Sequence, residues 1–295
     1  LEAGEIDYIQ SFFLLKQEVA RLRRNPAVQV AEGTDLPGNF LLFFNTTRKP
    51  LDDGRVRKAL AMATNRQQIV DQAVFGLGRP GKSAIHVGLG WAHNPEVDYG
   101  KLYPYDPAKA NAALDAAGLE RGADGKRFSV TLTYTVSQAG FTPMAEIIRN
   151  NWQAVGVDVR LEPYENQLAL EKVFARQDFD VSLWPYTTAG DPAIGITRAY
   201  VTTPAPPKPF TNPTGYGNPR LDELFARAVA TPSRDVRRRA YFEAQRIIAE
   251  DLPVLNLVDR IEVDAASAKL RNVFVSAEPY DLWDRVWTID GKPSR

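Results

Sequence analysis

Residues 76–83 read GLGRPGKS, the G-x-x-x-x-G-K-S spacing with which phosphate-binding loops cradle nucleotides. That chemistry needs a buried strand before the glycines and a helix after them, because the backbone N–H groups at the helix start hold the phosphates. Here a helical pattern precedes the motif, and AIHVGLGWAHNP follows it with Gly88, Gly90 and Pro95. A turn leaving a helix fits that context better than a nucleotide site. The two histidines, His86 and His93, stand in the same irregular stretch. A zinc or nickel centre commonly wants three or four N or S donors, so surface loop histidines are the expectation. There is no G-x-S-x-G elbow to present a nucleophile. No carboxylate pair stands out in apolar context either. The remaining stretch with site character is FDVSLWPYTTAGDP, residues 179–192, where an apolar run meets aromatics, threonines and a Gly-Asp-Pro turn.

Those residues need elements to position them, and the patterning supplies an α/β alternation. EIDYIQSFF (5–13) is strand-like, LLKQEVARLRRN (14–25) has helical spacing, and GNFLLFFNTT is a buried-type strand. Residues 54–76 carry apolar positions near the 3.6 period, with Asp53 as a start cap and Gly76 as an end. Residues 77–104 form a long irregular segment. YDPAKANAALDAAG predicts a helix capped by Asp106, with Pro107 at its first position and Gly118 after its last turn. Strand and helix then alternate through FSVTLTYTV, TPMAEIIRNNWQAVG, VDVRLEPY, NQLALEKVFAR and FDVSLW. After the Pro/Thr-rich residues 201–214, two helices (NPRLDELFARAVA and SRDVRRRAYFEAQRIIAED) precede the strand PVLNLV. This predicts sheets covered by helices, with parallel pairs.

Composition narrows the function classes. The 295 residues are 44% hydrophobic and 24% charged, enough for a sizeable core. Lys+Arg and Asp+Glu are equal at 36 each, so no bulk field draws nucleic acid or anionic lipid. No run approaches the roughly 18 apolar residues of a membrane span. Cysteine is absent, which removes disulfides and thiolate chemistry. The start, LEAGEIDYIQSF, has neither an initiator Met nor a signal-peptide pattern and reads as the interior of a longer protein.

The segment KPLDDGRVRKALAMATNRQQIVDQAVFGLGRP resembles the strongest motif of the family 5 solute-binding proteins of ABC importers, the peptide/nickel-type group. Pro50, Asp53, Val56, Arg57, Ala59, Leu60, Asn65, Arg66, Ile69, Val70, Gly76, Gly78 and Pro80 carry it. In order after it, YPYDPAKANAALDAAG, NNWQAVGVDVRLEP, FDVSLWPYTTAGDP and GYGNPRLDELFARA with SRDVRRRAYFEAQRIIAEDLPVLNL are similar to further family segments.

The resemblance implies an α/β fold of the type II periplasmic-binding-protein kind, two lobes joined by a hinge, with lobe I only partly present. Residues 1–45 would be a lobe I remnant, 46–257 lobe II, and 258–295 the return to lobe I, with crossings near Asn45-Thr46 and Asn256-Leu257. It implies a periplasmic protein, or a lipid-anchored extracellular one, that captures a small solute and delivers it to ABC permease subunits. It would act as a monomer, without enzyme activity, cofactor, metal or nucleic-acid partner. The alternatives are a ligand-sensing module of the same fold linked to a regulator, and an enzyme or nucleotide-binding protein.

The ligand residues it implies are Tyr134, Asn166, Trp184, Tyr186, Thr187, Thr188, Asp191 and Asn256, at strand ends and the hinge. The plainer alternatives are that Trp184 is core and Asp191 a turn residue. Peptide-binding members carry an aspartate three residues after a tryptophan, paired with the peptide ammonium. Counting from Trp184 gives Thr187, and aligning on Phe179-Asp180-Val181 puts Tyr186 in the tryptophan place and Ala189 in the aspartate place. Neither is an acid, which argues against a free peptide N-terminus as ligand.

Overall fold

The computed structural model describes residues 1–11, 13–33, 37–188, 190–204, 206–274 and 286–288. Strand β1 (Tyr8–Ile9) is followed by a 3₁₀ turn, Lys16–Glu18, that runs into α1 (Val19–Leu22), and then by β2 (Val28–Glu32). Strand β3 (Gly38–Phe44) leads to α2 (Gly54–Ala63), α3 (Arg66–Ala73), β4 (Gly78–Pro80), α4 (Tyr99–Leu102) and α5 (Pro107–Ala116). Then come β5 (Phe128–Thr135), α6 (Phe141–Ala154), β6 (Val157–Tyr164), α7 (Asn166–Leu170) with a π turn at Glu171–Ala175, and β7 (Val181–Thr187). A 3₁₀ turn, Ile196–Ala199, precedes α8 (Pro219–Val229) and α9 (Arg234–Asp251). Strands β8 (Val254–Arg260), β9 (Val263–Ser267), β10 (Leu270–Arg271) and β11 (Trp287–Thr288) complete the described chain.

The strands form a six-stranded sheet, ordered β4-β8-β3-β7-β5-β6, and a three-stranded sheet, β1-β9-β2; β10 and β11 pair separately. The expected parallel pairs are β5 with β6 and β5 with β7, whereas β3, β4 and β8 join antiparallel. Strand alternation explains why GNFLLFF is apolar throughout. Phe40, Leu42 and Phe44 face one core layer, against α2, α3 and α6. Leu41 and Phe43 face the other, with Trp184, Tyr186, Tyr241 and Ile248.

Two differences from the sequence expectation have local causes. The helical pattern over 54–76 is broken between α2 and α3. The Thr64 hydroxyl donates to the Leu60 carbonyl (2.7 Å) and accepts from the Trp152 indole (2.9 Å), and the Asn65 side chain caps α3 at Gln68 N (2.9 Å). Short polar side chains that bond their own backbone end helices. The strand read at 5–13 shrinks to Tyr8–Ile9; Phe12 lies outside the described residues.

Arg57 and Arg66, both within the family-like motif, are buried and scaffold the fold. Arg57 donates to the carbonyls of Leu51 (2.7 Å), Leu252 (3.0 Å), Asp52 (3.2 Å) and Asp251. Arg66 donates to Gly81 O (2.7 Å) and Tyr103 O (3.3 Å). Removing either would strand buried carbonyls, at about 1–3 kcal/mol each.

β2 of the three-stranded sheet is followed in the chain by β3 of the six-stranded sheet, and β8 is followed by β9 through residues 261–262; Gly33 N, after β2, donates to Glu262 O (2.8 Å) in the second of these passages. The expected divisions after residues 45 and 257 do not coincide with this. β3 is paired along its length with β7, and with β8 over Asn39–Phe43, so the whole strand belongs to the six-stranded unit. Asn45 lies beyond the far end of that strand, tied to Phe179 O (3.0 Å). Most of 275–295 lies outside the described residues.

Candidate functional site at the junction of the sheets

The C-terminal ends of β5 and β7 point at the passage between the sheets, where open α/β sheets place their ligands. A cavity of about 280 Å³ lies there. The six-stranded unit contributes Pro185 and Thr187 from β7, Gln138 from the β5–α6 turn, Arg198 from the 3₁₀ turn and Phe210. Ser11, Arg260 and Glu262 close the other side. A neighbouring cavity of about 460 Å³ shares Arg260 and Glu262 and adds Gly33, Pro37, Arg79, His86, Val87, Gly88, Asp259 and Ile261.

The ionic core of this junction is Arg260–Glu262–Lys16. Glu262 forms an ion pair with Arg260 (3.0 Å) and accepts from Lys16 (3.3 Å). Burial pushes its carboxyl up, but Arg260, Lys16 and a Ser11 hydrogen bond outweigh that and hold it below the usual glutamate value. The Arg260 guanidinium also lies over the Phe40 ring (5.0 Å to the centroid) and across Gly38, where a Cβ would overlap it. Asp259, 1% exposed, behaves oppositely. Burial raises its pKa above the usual aspartate value despite His86 nearby and an Asn256 hydrogen bond. It accepts from Asn256 Nδ2 (2.7 Å), Asn39 Nδ2 (2.8 Å) and Val87 N (3.3 Å).

His86 Nδ1 accepts from Gly88 N (2.8 Å), so Nε2 carries the proton toward Arg260 O (3.2 Å). The histidines are therefore not surface residues. His86 is 8% exposed, and His93 is half-buried with Nδ1 3.1 Å from both Ser83 Oγ and Ile85 O. Among the described residues no cluster of His, Cys, Asp or Glu could hold a metal ion. The GLGRPGKS stretch follows α3, contains β4 and has no helix until α4, so the phosphate-loop context is missing.

Of the eight expected ligand residues, Thr187 lines the smaller cavity. Its neighbours Trp184 and Tyr186 are each 1% exposed, because their parity on β7 turns them into the core. Trp184 packs edge-on to Phe174 (5.0 Å) and Phe210 (5.9 Å), and Tyr186 donates to Thr211 O (2.9 Å). Thr188 is buried and donates to Pro37 O (2.6 Å), tying β7 to the first passage. Asp191 pairs with Arg237 (2.5 and 2.6 Å) and caps Ala193 N (2.9 Å), the turn role. Tyr134 is buried in the core beneath the sheet, and Asn166 is exposed at the start of α7. Asn256 is buried and donates to Ser83 O (2.9 Å) and Asp259. Ala189 lies outside the described residues.

Arg198, Phe210, Gln138, Arg260 and Glu262 were not among the expected residues. A signal existed for two of them: LNLVDRIEVDAA places Asp259, Arg260, Glu262 and Asp264 within an otherwise apolar run, and all three carboxylates are buried. They are the carboxylates in apolar context that the sequence reading did not single out. Arg198 and Phe210 come from loops whose path follows no period.

No described helix is long and apolar enough to cross a membrane. The sequence profile of the family described as bacterial extracellular solute-binding proteins, family 5 Middle, matches residues 1–218. The dipeptide-binding protein of Escherichia coli is 29% identical over 242 residues, 81% of this chain and 43% of that relative. Heme-binding protein A of Haemophilus influenzae is 25% identical over 293 residues, 99% of this chain and 51% of its own length. The chain thus spans about half the length of the curated relatives it matches. In structure it is similar to the periplasmic binding protein DppA from Helicobacter pylori in complex with the peptide STSA. The TM-score is 0.84 at 21% identity, covering 99% of this chain and 54% of that one. The fold is therefore the α/β type II periplasmic-binding-protein fold that the sequence implied.

Proposed function

Because the chain belongs to family 5 of the bacterial extracellular solute-binding proteins, we propose that it contributes one wall and part of the other to the cleft of an ABC importer's solute-binding component. The family consists of solute-binding proteins rather than enzymes. The observation that carries the reading is the pair of cavities at the junction of the two sheets, walled by strand ends on one side and by the chain passages on the other. In this reading the six-stranded unit is one lobe, the three-stranded sheet is part of the second, and the β2–β3 and β8–β9 connections are the hinge. A solute bridging both walls favours the closed form by its differential affinity for it. The closed form is what the permease subunits would receive.

The protein would work as a monomer outside the cytoplasmic membrane, in the periplasm or lipid-anchored at the surface. Its equal counts of acidic and basic residues supply no net charge to draw nucleic acid. Thermal-shift screening of the full-length protein against peptides, opines, sugars and nickel chelates tests this. At a hundredfold excess over Kd, one class should raise Tm by about 5 °C or more. Silence across all classes would count against solute capture.

A further inference from the structure

We propose that the solute is anionic and that Arg198 receives its carboxylate at the mouth of the smaller cavity. This inference rests on the solute-binding reading and names the ligand class of that site. Arg198 is exposed toward the cavity and makes no ion pair or hydrogen bond with any other described residue. Its guanidinium lies over the rings of Tyr186 (5.5 Å) and Phe210 (6.0 Å), so two aromatic faces set its position while its N–H edge stays open. A planar fork with five donors matches a carboxylate bidentately, which a lysine ammonium would not.

The backbone supports a binding role for the platform. Phe210 sits at φ +60°, a left-handed conformation that is costly for an aromatic residue and concentrates at ligand sites. It is wedged against Trp184, Phe174 and Tyr186, which lock the ring beneath Arg198.

The other charges leave Arg198 as the available one. Glu262, the single carboxylate lining this cavity among the described residues, already faces both Arg260 and Lys16. A solute ammonium arriving there would compete with two resident cations, so a zwitterion gains nothing from Glu262. A solute anion meets an unpaired guanidinium, with the Gln138 amide and the Thr187 hydroxyl as uncharged donors on the same wall. The smaller cavity therefore favours a solute anion over a free amino terminus.

The test is calorimetric titration of the full-length protein with N-acetyl-dialanine, glutathione, octopine and succinate, each beside its carboxyl amide, and with zwitterionic dialanine. At least one acid should bind about tenfold or more tighter than its amide. R198Q should abolish that preference and R198K should keep part of it. Because Arg198 is exposed, both variants should keep the wild-type Tm, which separates lost binding from lost folding. Amides binding as tightly as acids, dialanine binding better than its N-acetyl derivative, or an acid preference that survives R198Q would each overturn the inference and leave solute capture standing. Silence from acids and amides alike would overturn both readings.

Discussion

Glu262 and Asp259 lie three residues apart, are both nearly inaccessible to water, and have pKa values displaced in opposite directions. Partners decide the sign: Glu262 has Arg260 and Lys16, while Asp259 accepts, among the described residues, from two side-chain amides and a backbone N–H. Because the folded-state value of Glu262 is lowered, its ionised form stabilises the fold at neutral pH. That contribution is lost as pH falls from the ordinary 4.5 through the lower folded value. Glu262→Gln should therefore cost about 1–3 kcal/mol near neutral pH. The gap to wild type should narrow as urea midpoints are followed down to about pH 3. A gap that stayed constant with pH would mean that Glu262 contributes by packing alone. Sequence patterning could flag these charges as anomalous in an apolar run, but not which of them had a cation opposite.

Strand parity explains much of what was and was not legible at the level of elements. On β7 the pleat sends Trp184 and Tyr186 into the core and leaves Pro185 and Thr187 at the cavity. The aromatic end of FDVSLWPYTTAGDP thus builds the floor under the cleft, and the following loops supply its surface. α5 was fully legible, since Asp106, Pro107 and Gly118 are local signals: the Asp106 side chain accepts from Lys109 N (2.9 Å), and Gly118 takes φ +82°. The α2–α3 break was not legible, because Thr64 ends the helix partly by accepting from Trp152, far away in sequence. Gly38 at the start of β3 shows the same dependence on a distant partner. Its backbone is ordinary, and its lack of a side chain matters only because Arg260 from β8 lies across it. Gly38→Ala should push Arg260 off Phe40 and Glu262 and cost about 1–3 kcal/mol, read as a shift of the urea midpoint. A variant as stable as wild type would show that Arg260 relaxes freely elsewhere.

In the whole molecule, two short passages join the sheets, and among the described residues one backbone hydrogen bond, Gly33 N to Glu262 O, links them. Gly33 has φ +69°, so its freedom from a side chain is used here. Among the described residues nothing crowds its Cβ position, so Gly33→Ala tests backbone strain. The expected cost is about 1 kcal/mol, with far-UV circular dichroism unchanged because neither sheet is touched. If the passages act as a hinge, solute affinity should fall along with stability. Unchanged affinity in a destabilised variant would separate the passage from solute capture.

Local propensity, capping and the ordered motifs determined the α/β class, most elements and the family, because each depends on residues close together in the chain. The passage between sheets, the core fate of Trp184, and the meeting of Arg198, Phe210, Arg260 and Glu262 were decided by tertiary structure alone. Those features join residues separated by long stretches of chain and loops without periodicity. Pairing along β3 and charge compensation at Glu262 exist only once the chain has folded.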